Sequence, residues 1–464
     1  IDDRVPSTFS NLGIDNEDLV YTATLPKEGD FLDNPLKKHN TAGQNILTAP
    51  FYGPQEILDI AVDDNQIIYT ADVDGWISAY TSEGLFIHGF GGFSWDADIA
   101  GLFKSLAAIS VDSKGNIWAL DGTKGYLQSF TPTDYALKIY DALETYDRGD
   151  YANNLAKWDE ILKQNQASYL VHYSIGKNYL FLRDYNNAME HFKLINEKQY
   201  YSEAFWEVRN VWRQDNLARV IIAAVVFATL LAVVRRVDKK KGILEPLRKQ
   251  KRKLLSFKLL KDVVFMFEFI AHPIDSFYEL KRGRKGSLMG ATIVNAILVA
   301  VFLWFTYGKG YIFQTVRPQN IDIVPVVIGY VSIFVLFITC NYFVTSINNG
   351  TGSVKDIYKM VAYSMTPVII GIVVTTLLSF VLTFNELFLL NFLFTGSIIW
   401  MLVYILLGVQ ETHGYRTRDE FGSLIMTVLF ILIIVIVLLI IVMMSTQLYD
   451  FVIQIVKEVW RLVT

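Results

Sequence analysis

The sequence predicts a multidomain protein: a partial β-propeller plus α-helical repeats outside, then an α-helical membrane domain with six transmembrane helices. Three observations carry this expectation. First, the 464-residue chain divides by charge near residue 219: the first 219 residues hold 18 Lys/Arg against 32 Asp/Glu, the remainder 24 against 14. An acidic half joined to a basic, apolar half suggests a membrane protein. Second, the basic half contains six apolar runs, roughly 220–234, 288–307, 324–346, 362–384, 389–408 and 423–444. Third, the acidic half contains two different internal repeats.

The first repeat occupies 1–133. LGIDNEDLVYTAT (12–24), IAVDDNQIIYTAD (60–72) and ISVDSKGNIWALD (109–121) share an apolar-x-apolar-Asp start, a polar turn and an apolar-apolar-aromatic return. Their aspartates, Asp15, Asp63 and Asp112, are 48 and 49 residues apart. Each reads as a hairpin, followed in two cases by a short strand, WISAY (76–80) or YLQSF (126–130). Short strands at a 40–50-residue period indicate propeller blades, and propellers have four to eight of them. About three are visible, so further blades are expected before Ile1. The pattern resembles NHL-type blades, best in residues 109–130.

The second repeat occupies 134–217. GDYANNLAKWDEIL (149–162) and RDYNNAMEHFKLIN (183–196) align 34 residues apart, matching Asp150 with Asp184, Trp158 with Phe192 and Ile161 with Ile195. The period and helical spacing mark TPR-like helical repeats. A further helix at 202–216 is expected to run on into the first span and couple the outer domain rigidly to the membrane.

A bilayer core of about 30 Å needs about 20 helical residues. Five runs meet that length; the first, placed at 218–236, is extended by Trp206, Trp212 and Leu217. Orientation follows from Lys/Arg near the span ends. Twenty lie in the loops at 235–285, 348–359 and 414–418, and four in the opposite loops and tail. The basic side is therefore expected to be cytoplasmic, in a plasma membrane, with 1–217 and the amphipathic tail 446–464 extracytoplasmic. An export signal removed from the mature chain is expected too. Residues 237–287 read as basic and interfacial cytoplasmic helices, broken at His272-Pro273. NNGTGSVKDIYKM (348–360) reads as a turn, with Lys355 and Lys359 anchored at the lipid surface and Pro367 near the start of the fourth span. Cys340, the lone cysteine, lies in the third span, so no disulfide framework is expected.

Three segments in this half, HPIDSFYELKRGRKGS, NNGTGSVKDIYKMVAYSMTPVII and QETHGYRTRDEF, resemble the Ypt-interacting-protein (Yip) family. The shared motifs fall on Gly350, Gly352, Ser353, Tyr363, Pro367, His413 and Gly414. The resemblance implies a five-helix Yip-type membrane domain over 288–445. A bacterial subset resembles the whole chain, and its genes lie beside those of carbohydrate ABC importers. That implies an accessory role in sugar uptake in Gram-positive bacteria.

No catalytic constellation or cofactor is expected. His39, His88, His172, His191, His272 and His413 are scattered, with none at ligand spacing to another His or Cys. Ser353 and Ser364 lack a nearby His/Asp arrangement, and no phosphate loop or dinucleotide fingerprint occurs. GFGGF (89–93) reads as a turn after a blade strand. The mid-span asparagines Asn295, Asn341 and Asn391 are expected to bond between helices. Absent mid-span charges argue against an ion-driven carrier. Trp76, Tyr80, Trp95, Trp118 and Tyr126 are expected in blade cores, with stacking of a glycan ligand as the alternative. The basic residues Arg235, Arg236, Lys239, Lys240, Lys241, Arg248, Lys249, Lys251, Arg252 and Lys253 are expected to touch anionic membrane lipids rather than nucleic acid.

The leading functional expectation is a non-enzymatic scaffold docking ABC importer permease subunits and a solute-binding protein. The alternatives are a glycan-sensing receptor, a membrane-organising protein acting alone, and a transporter.

Overall fold

The computed structural model describes residues 9–25, 34–47, 51, 53–95, 99–242, 244–254, 257–315 and 320–463. They form two compact units, Ile1–Asn210 and Val211–Thr464.

The first unit opens with three antiparallel sheets. They contain β1 (Phe9–Ile14), β2 (Val20–Thr24) and β3 (Leu36–His39); β4 (Ile57–Val62), β5 (Ile68–Asp72), β6 (Trp76–Tyr80) and β7 (Phe86–Gly91); and β8 (Leu106–Val111), β9 (Ile117–Asp121) and β10 (Tyr126–Phe130). Each sheet runs in simple sequence order. Among the described residues they do not close into a ring. The repeated aspartate explains the repeated hairpin. Asp15 Oδ1 accepts from the N–H groups of Glu17 and Leu19, and Tyr21 OH donates to Oδ2. Asp63 does the same with Asn65, Ile67 and Tyr69. Asp112 does so with Lys114, Asn116 and the Trp118 indole N–H. One carboxylate thus satisfies two turn amides and tethers the aromatic of the returning strand. GFGGF is strand as far as Gly91. Instead of a turn there, Gly91 and Gly92 have φ of 97° and 135°, and the Gly92 N–H bonds the Gly75 carbonyl at 2.8 Å.

Four helices follow: α1 (Asp134–Asp147), α2 (Tyr151–Gln164), α3 (Tyr169–Phe181) and α4 (Tyr185–Leu194). The 34-residue equivalence holds at the helix caps and at one core position, but not at Ile161 and Ile195: Ile161 is buried inside α2, while Ile195 is half-buried and lies just past the end of α4. Asp150 caps α2 through Asn153 and Asp184 caps α4 through Asn187, each with a 2.7 Å side-chain bond from the asparagine amide. Trp158 and Phe192 are both fully buried. The strands and helices share one core, in which Tyr69, Ile77, Phe103 and Ile117 pack with Ile139, Tyr140, Trp158 and Val171.

α5 is a single helix, Lys198–Lys241. Then come α6 (Glu245–Leu254), α7 (Lys258–Phe265), α8 (Glu268–Ala271), α9 (Pro273–Lys281), α10 (Leu288–Gly308), α11 (Ile323–Ile347), α12 (Val354–Ser364), α13 (Thr366–Leu378), α14 (Leu387–His413) and α15 (Thr417–Val463). Among the described residues, six helical stretches are long and apolar enough to cross a bilayer: 198–240, 288–308, 323–347, 354–378, 384–413 and 418–457. The protein is a multi-pass membrane protein.

Three expectations change. The turn before the fourth span is only 348–353, because Val354–Ser364 is helical. The span therefore starts in α12 and breaks at Met365, where Pro367 lacks the N–H that would continue the ladder. Lys359 is not a lipid anchor: it is 8% exposed, with Nζ 3.0 Å from Asp356 Oδ1 and 3.4 Å from the Leu280 carbonyl. The described part of the tail, 446–463, is no separate element; it continues α15. α7–α9 also do more than lie flat on a surface. Phe265, Phe269, Phe277 and Leu280 enter the bundle core with Tyr363, Tyr404 and Val409.

Candidate functional site

The motif residues of the membrane half converge at one end of the bundle. His413 closes α14 and is 2% exposed. Its Nδ1 accepts the Gly352 N–H at 3.3 Å, and Nε2 lies 3.3 Å from Asn341 Oδ1 on α11. These partners select the tautomer with the proton on Nε2. Asn341 Nδ2 donates to Thr427 Oγ1 on α15 at 3.3 Å. One polar chain thereby ties α11, the 348–353 loop, α14 and α15.

Packing explains why glycines occupy the loop. A β-carbon on Gly350 would stand 2.7 Å from His413 Nδ1 and 2.7 Å from Tyr415 Oη. One on Gly352 would stand 2.8 Å from His413 Cε1. Tyr415 stacks on His413 with ring centroids 5.5 Å apart and donates to the Thr345 carbonyl. Gly414 makes this return possible by ending α14 at φ 72°, its N–H bonded to the Gln410 carbonyl at 2.8 Å. Thr351 donates to the His413 carbonyl and accepts from Lys281 Nζ at 3.0 Å. The loops at 281–287, 348–353 and 414–416 thus share one end, as the charge count requires.

The other motif residues are structural in the same sense. Ser353 caps α12 in a reciprocal box with Asp356. Tyr363 is fully buried and donates to the Asp262 carbonyl at 2.9 Å, fastening α12 to α7. Pro367 opens α13. Ser364 donates to the Met360 carbonyl. The arrangement is a latch of hydrogen bonds and close contacts. Of the mid-span asparagines, Asn341 and Asn295 bond between helices, the latter accepting from Tyr330 at 2.8 Å. Asn391 is exposed.

The basic run is less uniform than its composition implies. Arg235, Arg236, Lys239, Lys240, Lys249 and Lys253 are exposed. Arg248 pairs with the buried Asp238, which also accepts the Leu244 N–H at 2.7 Å. The side chains of Lys241, Lys251 and Arg252 lie outside the described residues.

In the first unit the tryptophans depart from expectation. Tyr80 is buried, but Trp76, Trp95 and Trp118 are 48%, 71% and 41% exposed. Strand alternation turns Trp76 of β6 and Trp118 of β9 away from the core, while Trp95 lies outside any strand. A cavity of about 390 Å³ lies beside them in sequence, lined by His88, Phe90, Phe130, Tyr135 and Tyr140. Tyr69 Oη lies 3.1 Å from Tyr140 Oη, which lies 2.8 Å from His88 Nε2. Burial holds the His88 imidazole below its usual pKa and therefore neutral near pH 7. The histidines are not all scattered either. His172 on α3 and His191 on α4 meet, Nδ1 to Nδ1, at 3.0 Å. Two different helices bring them together, which sequence spacing alone does not reveal. Among the described residues no three His, Cys, Asp or Glu form a metal-holding cluster.

No curated protein matches the chain. A crystal structure of a protein of unknown function from Bacteroides caccae aligns with 27% of this chain and 46% of its own. Its identity is 11% and its TM-score 0.18, so nothing is argued from it. Residues 267–440, which run from α8 into α15 and contain Asn341, the 348–353 loop, His413 and Thr427, match the family model described as the Yip1 domain.

Proposed function

We propose that the chain is a non-enzymatic membrane scaffold, its Yip1-type domain embedded and its first unit presented outside as a protein-binding platform. The observation that supports this best is the chemistry of the motif site. Its histidine, tyrosines, serines and lysines bond to backbone or to one another, which is what a rigid support needs and a reaction centre does not. A cavity of about 520 Å³ between α10, α11, α13 and α14 is lined by groups such as Leu298, Phe302, Phe394 and Met401, not by the polar path of a carrier. The apolar stretches of α5 and α15 bury only 0% and 6% of their residues, leaving faces for lipid or partner spans.

The partners follow from the resemblance alone: the permease subunits and solute-binding protein of a carbohydrate ABC importer. The exposed basic residues of α5 and α6 rest on anionic lipid in this arrangement. Purification from native membranes in mild detergent, with mass spectrometry of what co-elutes, tests it. Permease and ATPase subunits in stable ratio are expected; the chain alone would overturn it.

A second reading, glycan sensing, is favoured by the aromatic cavity at His88 and Tyr140 and by the exposed tryptophans, since sugars stack on such rings. Calorimetric titration of the full chain with an oligosaccharide panel decides it. Silence across the panel would remove it.

A further inference from the structure

We propose that His172 and His191 form a binding site for one borderline divalent cation, Zn²⁺ or Cu²⁺, across the hairpin of α3 and α4. Their Nδ1 atoms are 3.0 Å apart and the ring planes are inclined by 45°. Two imidazole nitrogens on one tetrahedral Zn²⁺ stand about 3.3 Å apart, given bonds of about 2.0–2.1 Å. A shift of a few tenths of an ångström, with a tilt of the two rings that turns both Nδ1 lone pairs onto a common point, converts this pair into two ligands.

A second contact prepares the ring. His172 Nε2 lies 3.0 Å from the Gln166 carbonyl and donates to it, so its Nδ1 keeps a lone pair aimed at His191. A ring N–H held by a carbonyl is how metal-bound histidines are oriented and made more basic. His172 is 8% exposed.

Without a cation, His191 Nδ1–H donates to His172 Nδ1. Binding breaks that bond and forms two metal–nitrogen bonds. The His191 proton moves from Nδ1 to Nε2, so the neutral pair releases no net proton. Water fills the remaining positions, because no third protein ligand belongs to the cluster among the described residues. The site is therefore selective for nitrogen-preferring cations over Mg²⁺ and Ca²⁺. A bound cation staples α3 to α4 and stabilises the first unit by mass action.

The test is calorimetric titration of the full chain in detergent with ZnCl₂ and with CuSO₄. It is repeated on His172→Gln, His191→Gln and the double variant, with metal-free melting to check that each folds. Cu²⁺ paramagnetic resonance reports the nitrogens. One cation per chain is expected, at least tenfold weaker in each single variant, with coupling to two nitrogens. No binding by the unaltered chain, or undiminished binding by the double variant, would overturn the proposal. If His172→Gln fails to fold, His191→Gln decides alone.

Discussion

A β-carbon at Gly350 or Gly352 has nowhere to go but into His413, and that contact defines the latch at the scale of single residues. Gly350→Ala should cost about 1–3 kcal/mol of stability, the usual cost of overpacking. Gly422→Ala, with open space around it, should cost nothing measurable. Thermal melting in detergent compares the two. The repeated aspartates show how position sets chemistry. Burial holds the Asp63 carboxyl up at about 6, above an unfolded value of about 3.9. The folded state then binds more protons between those values, so the stabilisation from this group is full below about pH 4 and is lost as pH rises through about 6. Asp112 behaves oppositely. Bonds from the Asn116 side chain and amide and from Trp118 hold it below the usual carboxylate range, so its contribution is present above about pH 4 and lost in acid. Asp63→Asn should flatten the pH 4–6 limb of the melting profile and spare the acid limb; Asp112→Asn should do the reverse.

At the scale of elements, the helical repeat carries a strain its sequence reveals only by comparison. The residue before each capping aspartate is left-handed: Gly149 at φ 78° and Arg183 at φ 63°. Glycine adopts that conformation freely and arginine pays about 1 kcal/mol or more. Arg183→Gly should therefore raise stability by up to about 1 kcal/mol, measured by chemical denaturation, and Gly149→Arg should lower it. Tyr363→Phe removes the bond from α12 to the Asp262 carbonyl and should cost about 1 kcal/mol while leaving the helices intact. Much at this scale was legible. Twenty apolar residues have one solution in a bilayer, and the Asp turn is a local pattern of i, i+2, i+4 and i+6. α12 was not legible, because Lys355, Asp356 and Lys359 interrupt its apolar period, and only the fold shows that Lys359 is buried against Leu280. The latch was visible as motifs but not as physics, since 61 residues separate Gly352 from His413. The meeting of His172 and His191 depends on the register of two packed helices, which neither helix encodes alone.

For the whole molecule, the sequence divides acidic from basic near residue 219, and the chain folds as two compact units divided at 210. The scaffold account requires the first unit and the basic loops of the second half to lie on opposite sides of the membrane, because an extracytoplasmic solute-binding protein can dock only on what lies outside. The most direct test is therefore topology. Cys340 is replaced by Ser, and single cysteines are placed at Lys124 in the β9–β10 turn and at Lys285 before α10. Intact cells are then treated with a membrane-impermeant maleimide. The account predicts labelling of Lys124→Cys in intact cells and of Lys285→Cys only after the membrane is opened. Labelling of Lys285→Cys in intact cells, with Lys124→Cys protected, would invert the protein and contradict the scaffold.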